Sequence, residues 1–151
     1  MQHTIDDSVE GAKDELKRAD HSIYVTLKYT RTVDVIKNII KRLIAATDIA
    51  IADSLNHLHA KKKLKEVPLM PKKRALLVST LLPQFKKDID FYFLLREIDI
   101  VEYTKREEYR KNVSLIVTIK GKTLVIDIET IKKYFERTVD LVDRVHALAT
   151  L

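Results

Sequence analysis

Residues 32–60 read TVDVIKNIIKRLIAATDIAIADSLNHLHA, and the spacing of their apolar side chains decides the fold. Ile36, Ile40, Leu43, Thr47, Ile51, Leu55 and Leu58 follow one another at intervals of three or four residues, with Ile39, Ile44 and Ala50 widening the stripe. Lys37, Lys41, Arg42, Asp48 and Asp53 lie mostly off it. Neither Gly nor Pro occurs between Thr32 and Lys65. A helix of roughly 30 residues, about 45 Å long, is therefore predicted. Helices of this length belong to bundles or dimers, because one short domain does not cover them alone.

Upstream, Asp7-Ser8-Val9-Glu10 has the spacing of a capping box. It predicts a helix from about Ser8 to about Leu27, with Val9, Ala12, Leu16, Ala19, Ile23 and Leu27 on its apolar face. The β-branched and aromatic residues between Ser22 and Thr32 predict a break near Tyr29-Thr30. Downstream, Pro68-Leu69-Met70-Pro71 ends the long helix, and Lys72 to Leu82 reads as a short helix closed by Pro83. Phe85, Ile89, Tyr92, Phe93, Leu95, Ile98 and Val101 predict another helix, continued by the charged stretch Glu102 to Lys111.

From Val113 to Ile128 the period changes from 3.6 to 2. Lys120-Gly121 suits a two-residue hairpin turn that pairs Ile119 with Lys122 and Thr118 with Thr123. One face of this hairpin, with Val113, Leu115, Val117, Ile119, Leu124, Ile126 and Ile128, is apolar and needs covering. Asp127 is placed to cap a last helix with Ile131, Tyr134, Phe135, Thr138, Leu141, Val142, Val145 and Leu148 buried. The fold class is mainly α: a bundle of about five helices with one β-hairpin, about 113–128, before the C-terminal helix. With 151 residues, no low-complexity stretch and no linker, residues 1–151 read as one domain. The long helix and the apolar hairpin predict a homodimer.

The net charge of +6 is unevenly placed. Residues 1–20 carry −3, residues 21–75 carry +8 and residues 76–151 carry +1. Within the middle block, Lys61, Lys62, Lys63, Lys65, Lys72, Lys73 and Arg74 face a single acid, Glu66. Clustered Lys and Arg supply the sequence-independent part of nucleic-acid affinity, so this segment is the candidate contact for RNA, DNA or another polyanion. The structural alternative is a solvated helix end whose lysines complement the C-terminal dipole. A second candidate comes from an echo: Tyr29-Thr30-Arg31 and Tyr103-Thr104-Lys105. On a helix Tyr103, Arg106 and Arg110 share one side with Tyr109 nearby. Tyr rings beside guanidinium groups suit a phosphate or nucleotide pocket made by Tyr29, Arg31, Tyr103, Arg106, Tyr109 and Arg110, provided the segments converge. Otherwise these are amphipathic side chains bridging helices.

Catalytic and metal chemistry find little footing. Cysteine is absent, and Gly11 and Gly121 are the only glycines, so there is no phosphate loop and no dinucleotide fingerprint. His57 and His59, two apart, diverge on a helix, and no His-Glu-x-x-His motif occurs. No catalytic residue, metal or cofactor is predicted. No stretch reaches the ~20 apolar residues of a membrane span, and Met1–Glu10 is acidic and polar, so a cytoplasmic protein without membrane attachment is expected.

The segments LKYTRTVDVI (27–36) and EYTKREEYRK (102–111) resemble those of a family of short archaeal helical proteins, a likeness that implies no particular activity. The Lys- and Ile-rich composition, poor in Asn and Gln, accords with a thermophile. The chain also resembles HEPN domains, helical bundles that dimerise and bind or cleave RNA. Active members carry an Arg followed four to six residues later by a His. Here Arg18–His21 and Arg144–His146 are both too close, so the resemblance implies a degenerate ribonuclease at most. Three readings follow: a non-catalytic nucleic-acid or polyanion module, a structural or protein-interaction dimer, and a degenerate HEPN-like ribonuclease.

Overall fold

The computed structural model describes residues 4–148. Helix α1 runs as a regular α-helix over Thr4–His21, through a π-helical turn, Ser22–Thr26, and closes with one α turn, Leu27–Tyr29. It starts at Thr4, so the backbone is already helical at Asp7 and the capping box predicted there does not begin the helix. The break at Thr30 is where the sequence places it, with Thr30 at φ −130° and ψ 86°. The wide π turn falls on Ile23, Tyr24, Val25 and Thr26, whose branched and aromatic side chains crowd an ordinary α turn. Ile23 and Leu27 both remain buried on the core side.

Helix α2, Val33–Ala60, is the axis of the molecule. At 28 residues it spans about 42 Å. Its buried face is the predicted stripe, broadened by Val33, Ala46, Asp53 and Ser54. Helix α3 covers Pro71–Leu81, a 3-10 turn covers Pro83–Phe85, and α4 covers Lys86–Ile100. Helix α5, Ile128–Ala147, follows the sheet. Its Asp127 cap accepts a hydrogen bond from the Thr130 N–H at 2.8 Å, as expected. Helices α1, α4 and α5 all pack on α2. Ser54 Oγ donates to the Val145 carbonyl at 2.7 Å inside the α2–α5 contact. The length of α2 is thus covered by the chain itself, and one reason for expecting a dimer is met internally.

The hairpin is part of a three-stranded antiparallel sheet, order β1-β2-β3, made by Tyr103–Arg106, Ser114–Ile119 and Lys122–Ile126. The predicted pairs Ile119–Lys122 and Thr118–Thr123 are present. Lys120 and Gly121 both have positive φ, 52° and 78°, as a type I′ turn requires. Val113, Leu115, Val117, Ile119 and Ile126 are buried against the helices. Strand β1 corrects the helical continuation predicted for Glu102–Lys111. Helix α4 stops at Ile100, and Tyr103–Arg106 pairs with β2 from Tyr103–Val117 to Arg106–Ser114. This stretch has no apolar stripe to bury as a helix, whereas pairing with β2 satisfies its backbone groups. All four residues of β1 are exposed, as an edge strand allows.

Candidate polyanion-binding surface

The carboxyl end of α2 is closed by the backbone. The Lys63 N–H reaches the Leu58 carbonyl at 2.9 Å and the Lys62 N–H reaches the His59 carbonyl at 3.0 Å, the two bonds of a Schellman motif. Lys62 takes the left-handed position, φ 61°, that glycine usually fills. The carbonyls are satisfied locally, and Lys61, Lys62, Lys63 and Lys65 are exposed residues.

The chain then doubles back. Lys72, at the start of α3, borders a depression of about 290 Å³ together with Ile44, Phe93, Arg96 and Ile100 and the acids Glu97 and Asp99. The predicted cluster thus falls into two stations: Lys61, Lys62, Lys63 and Lys65 at the end of α2, and Lys72 and Lys73 in the first turn of α3. Both of these lysines are exposed. Arg74 differs. Its Nε donates to the Pro68 carbonyl at 2.9 Å and its terminal nitrogen to the Leu69 carbonyl at 2.6 Å, so it clamps the loop between the stations. Leu69 and Met70, 86% and 60% exposed, stand at the apex of that loop.

Beneath this surface lies a network that the sequence pattern does not suggest. The Tyr92 hydroxyl donates to Asp48, and Arg96 donates to the Tyr92 oxygen at 3.0 Å and lies 3.5 Å from Asp48. Burial raises the Asp48 carboxyl above its ordinary value, opposed by the Tyr92 hydrogen bond and the charges of Arg96 and Arg74. Burial and the adjacent carboxylate raise the Tyr92 phenol well above its usual range. Asp48, which lies off the apolar stripe of α2, and Tyr92, on the apolar face of its own helix, therefore tie α2 to α4.

The echoing segments do meet, but through their backbones. The Tyr109 N–H donates to the Arg31 carbonyl at 2.6 Å, and Glu108 accepts from the Val33 N–H at 3.0 Å. Glu108 thereby caps α2 from 75 positions away, beside the local cap Thr32, whose side chain accepts from the Val35 N–H. Lys105 links Asp34 and Glu108 at 3.6 and 3.5 Å, and Asp34 and Glu108 raise its pKa. Glu107 and Tyr109 flank Glu108 at φ 57° and 67°, left-handed positions held by this clasp.

The six candidate side chains do not share a cavity. Tyr29 and Tyr109 are 80% and 76% exposed. Tyr103 lies under the Lys37 ammonium, 4.2 Å from its ring centroid, and borders a depression on the outer sheet face with Thr104 and Ile116. Arg106 ends β1 and Arg110 follows in the loop, both exposed and neither helical. Arg31 points elsewhere, into a groove beside the π turn. Among the described residues no group of three His, Asp or Glu is placed to hold a metal ion, and no helix is long and apolar enough to cross a membrane. The chain matches no protein-family model, no curated protein and no solved structure.

Proposed function

We propose that this protein is a non-catalytic module that binds a linear polyanion, a nucleic acid in the first place, along the stripe Lys61, Lys62, Lys63, Lys65, Lys72 and Lys73. The observation that carries the reading is the exposure of all six lysines in two groups, one at the carboxyl end of α2 and one at the start of α3. A small anion reaches one station; an extended phosphate backbone reaches both. The contacts are point charges to phosphate without base readout, so RNA and single-stranded DNA of one length bind alike. The lack of cysteine accords with a cytoplasmic setting.

Replacing the six lysines by Gln and measuring oligonucleotide binding at low salt tests this. Loss of at least about a hundredfold in affinity with an unchanged circular-dichroism spectrum is expected. Retained affinity in the folded variant refutes the reading. A second reading, a protein-interaction surface, draws on Leu69, Met70 and Leu76, which are 86%, 60% and 53% exposed next to the stripe. It predicts that Leu69→Ser with Met70→Ser dissolves a dimer or releases a co-purifying protein while leaving oligonucleotide binding intact.

A further inference from the structure

The π turn of α1 and the first turn of α5 enclose a groove of about 260 Å³ close to the amino end of α2. Its floor is apolar, made by Ile23, Leu27 and Ile128. Its rim is cationic, made by Lys28, Arg31 and Lys132, and no carboxylate lines it.

Arg31 is the informative member. Its Nε is buried and finds no acceptor among the protein groups, although a buried guanidinium donor ordinarily has one. Among the described residues, neither Arg31 nor Lys28 forms an ion pair. Lys132 is partly neutralised by Glu129 at 3.4 Å and lies 5.3 Å from the Tyr24 ring centroid. The nearby Asp127 carboxylate is committed to its cap on Thr130. The donors thus outnumber the acceptors around an apolar floor. The helical irregularity that opens the groove is of a kind often found at ligand sites.

We propose that this groove binds a phosphomonoester carrying a small apolar or aromatic body. The phosphate oxygens accept from Arg31, Lys28 and Lys132, and the body lies on Ile23, Leu27 and Ile128. Charge-assisted hydrogen bonds from a guanidinium favour a phosphate, and the apolar floor has no use for a bare anion. The volume falls below the range of drug-sized pockets, which limits the body to about one ring or one nucleoside. The site does not depend on the lysine stripe and shares no residue with it.

Calorimetric titration with inorganic phosphate, phenyl phosphate, adenosine monophosphate and phenol tests the assignment. Saturable one-site binding is expected for at least one ester, at least about tenfold tighter than phosphate, with no binding of phenol. The tighter ester identifies the body as a lone ring or a nucleoside. Arg31→Gln and, separately, Lys28→Gln are each expected to weaken the ester by about tenfold. Arg31 holds Tyr109 through its backbone, so its substitution leaves the clasp in place. Absence of saturable binding at millimolar ester overturns the proposal. So does equal affinity for phosphate and both esters, or full affinity in both folded variants. Loss only on replacing Lys61, Lys62 and Lys63 also overturns it, by moving the site to the stripe.

Discussion

The two ends of α2 solve the same problem in opposite ways. A helix leaves unpaired N–H groups at one end and unpaired carbonyls at the other, with a dipole that favours acids first and cations last. At the amino end the partners come from far along the chain: Glu108 caps Val33, Tyr109 bonds Arg31, and Lys105 joins Asp34 to Glu108. At the carboxyl end the partners are local, the Schellman bonds of Lys62 and Lys63. Long-range partners knit the sheet to the bundle and use up polar side chains. Local closure by the backbone accompanies four exposed lysines, Lys61, Lys62, Lys63 and Lys65. One end is fixed by side chains from distant segments, the other by backbone bonds within its own last turn.

Breaking the amino-end clasp has the largest expected effect on stability. Glu108→Ala removes the acceptor for the Val33 N–H and a partner of Lys105, and is expected to cost about 1–2 kcal/mol. That corresponds to a fall in Tm of roughly 2–8 °C by differential scanning calorimetry. Glu108→Gln keeps an acceptor and should restore most of the loss. Lys62→Gly at the other end should instead be neutral or slightly stabilising, because the left-handed position at φ 61° favours glycine. Equal destabilisation by Glu108→Ala and Lys62→Gly erases the distinction between the ends.

Next in size is the cap of α5. The Thr130 N–H holds the Asp127 carboxyl below its ordinary value. A depressed folded pKa means that the unfolded chain binds the proton first. The stabilisation is therefore complete above the unfolded value near about 4 and disappears as pH falls through the folded value. Asp127→Ala should cost about 1 kcal/mol at neutral pH and nothing once both states are protonated, as urea denaturation at a series of pH values would show.

A smaller effect is expected at His146, between the carboxyl halves of α2 and α5. Burial lowers its pKa from the ordinary 6.5, with Lys13 adding to the shift while Asp53 and Asp143 oppose it. Below pH 6.5 the unfolded chain takes up a proton that the folded one resists, so stability declines as pH falls from there towards the folded value. His146→Gln should flatten that limb of the urea midpoint against pH; an unchanged limb assigns it to another group. The smallest effect on global stability belongs to Arg74→Ala. It releases the Pro68 and Leu69 carbonyls and should speed proteolysis in the loop with little change in Tm.

Much of the fold could be read from residue order because it is locally encoded. The stripe of α2, the Lys120-Gly121 turn with its register, and the Asp127 cap depend on residues a few positions apart, and each is present. What could not be read depends on distant partners. Glu108 looks like one more charge in a charged run until the fold brings it to Val33, 75 positions away. Strand β1 exists because β2 offers its edge to residues with no apolar stripe of their own. The site shows the same division. The exposed lysines could be named from composition, but not their separation into two stations, nor Arg74's role as a clamp. Arg31 stood out beside Tyr29, yet its groove is made by a π turn and a helix start more than a hundred residues apart. The crowding of Ile23, Tyr24, Val25 and Thr26 was the available signal for that turn.

The proposed function requires that the two lysine stations act together on one extended polyanion. Its most direct test is the slope of log affinity against log salt for a single-stranded oligonucleotide. It is measured on the unaltered protein, on Lys61, Lys62, Lys63 and Lys65 all changed to Gln, and on Lys72 and Lys73 changed to Gln. Each phosphate neutralised contributes about −0.7 to the slope. A shallower slope is expected in both variants, with the four-lysine change losing about twice as much as the two-lysine change. A slope that stays the same in both contradicts it.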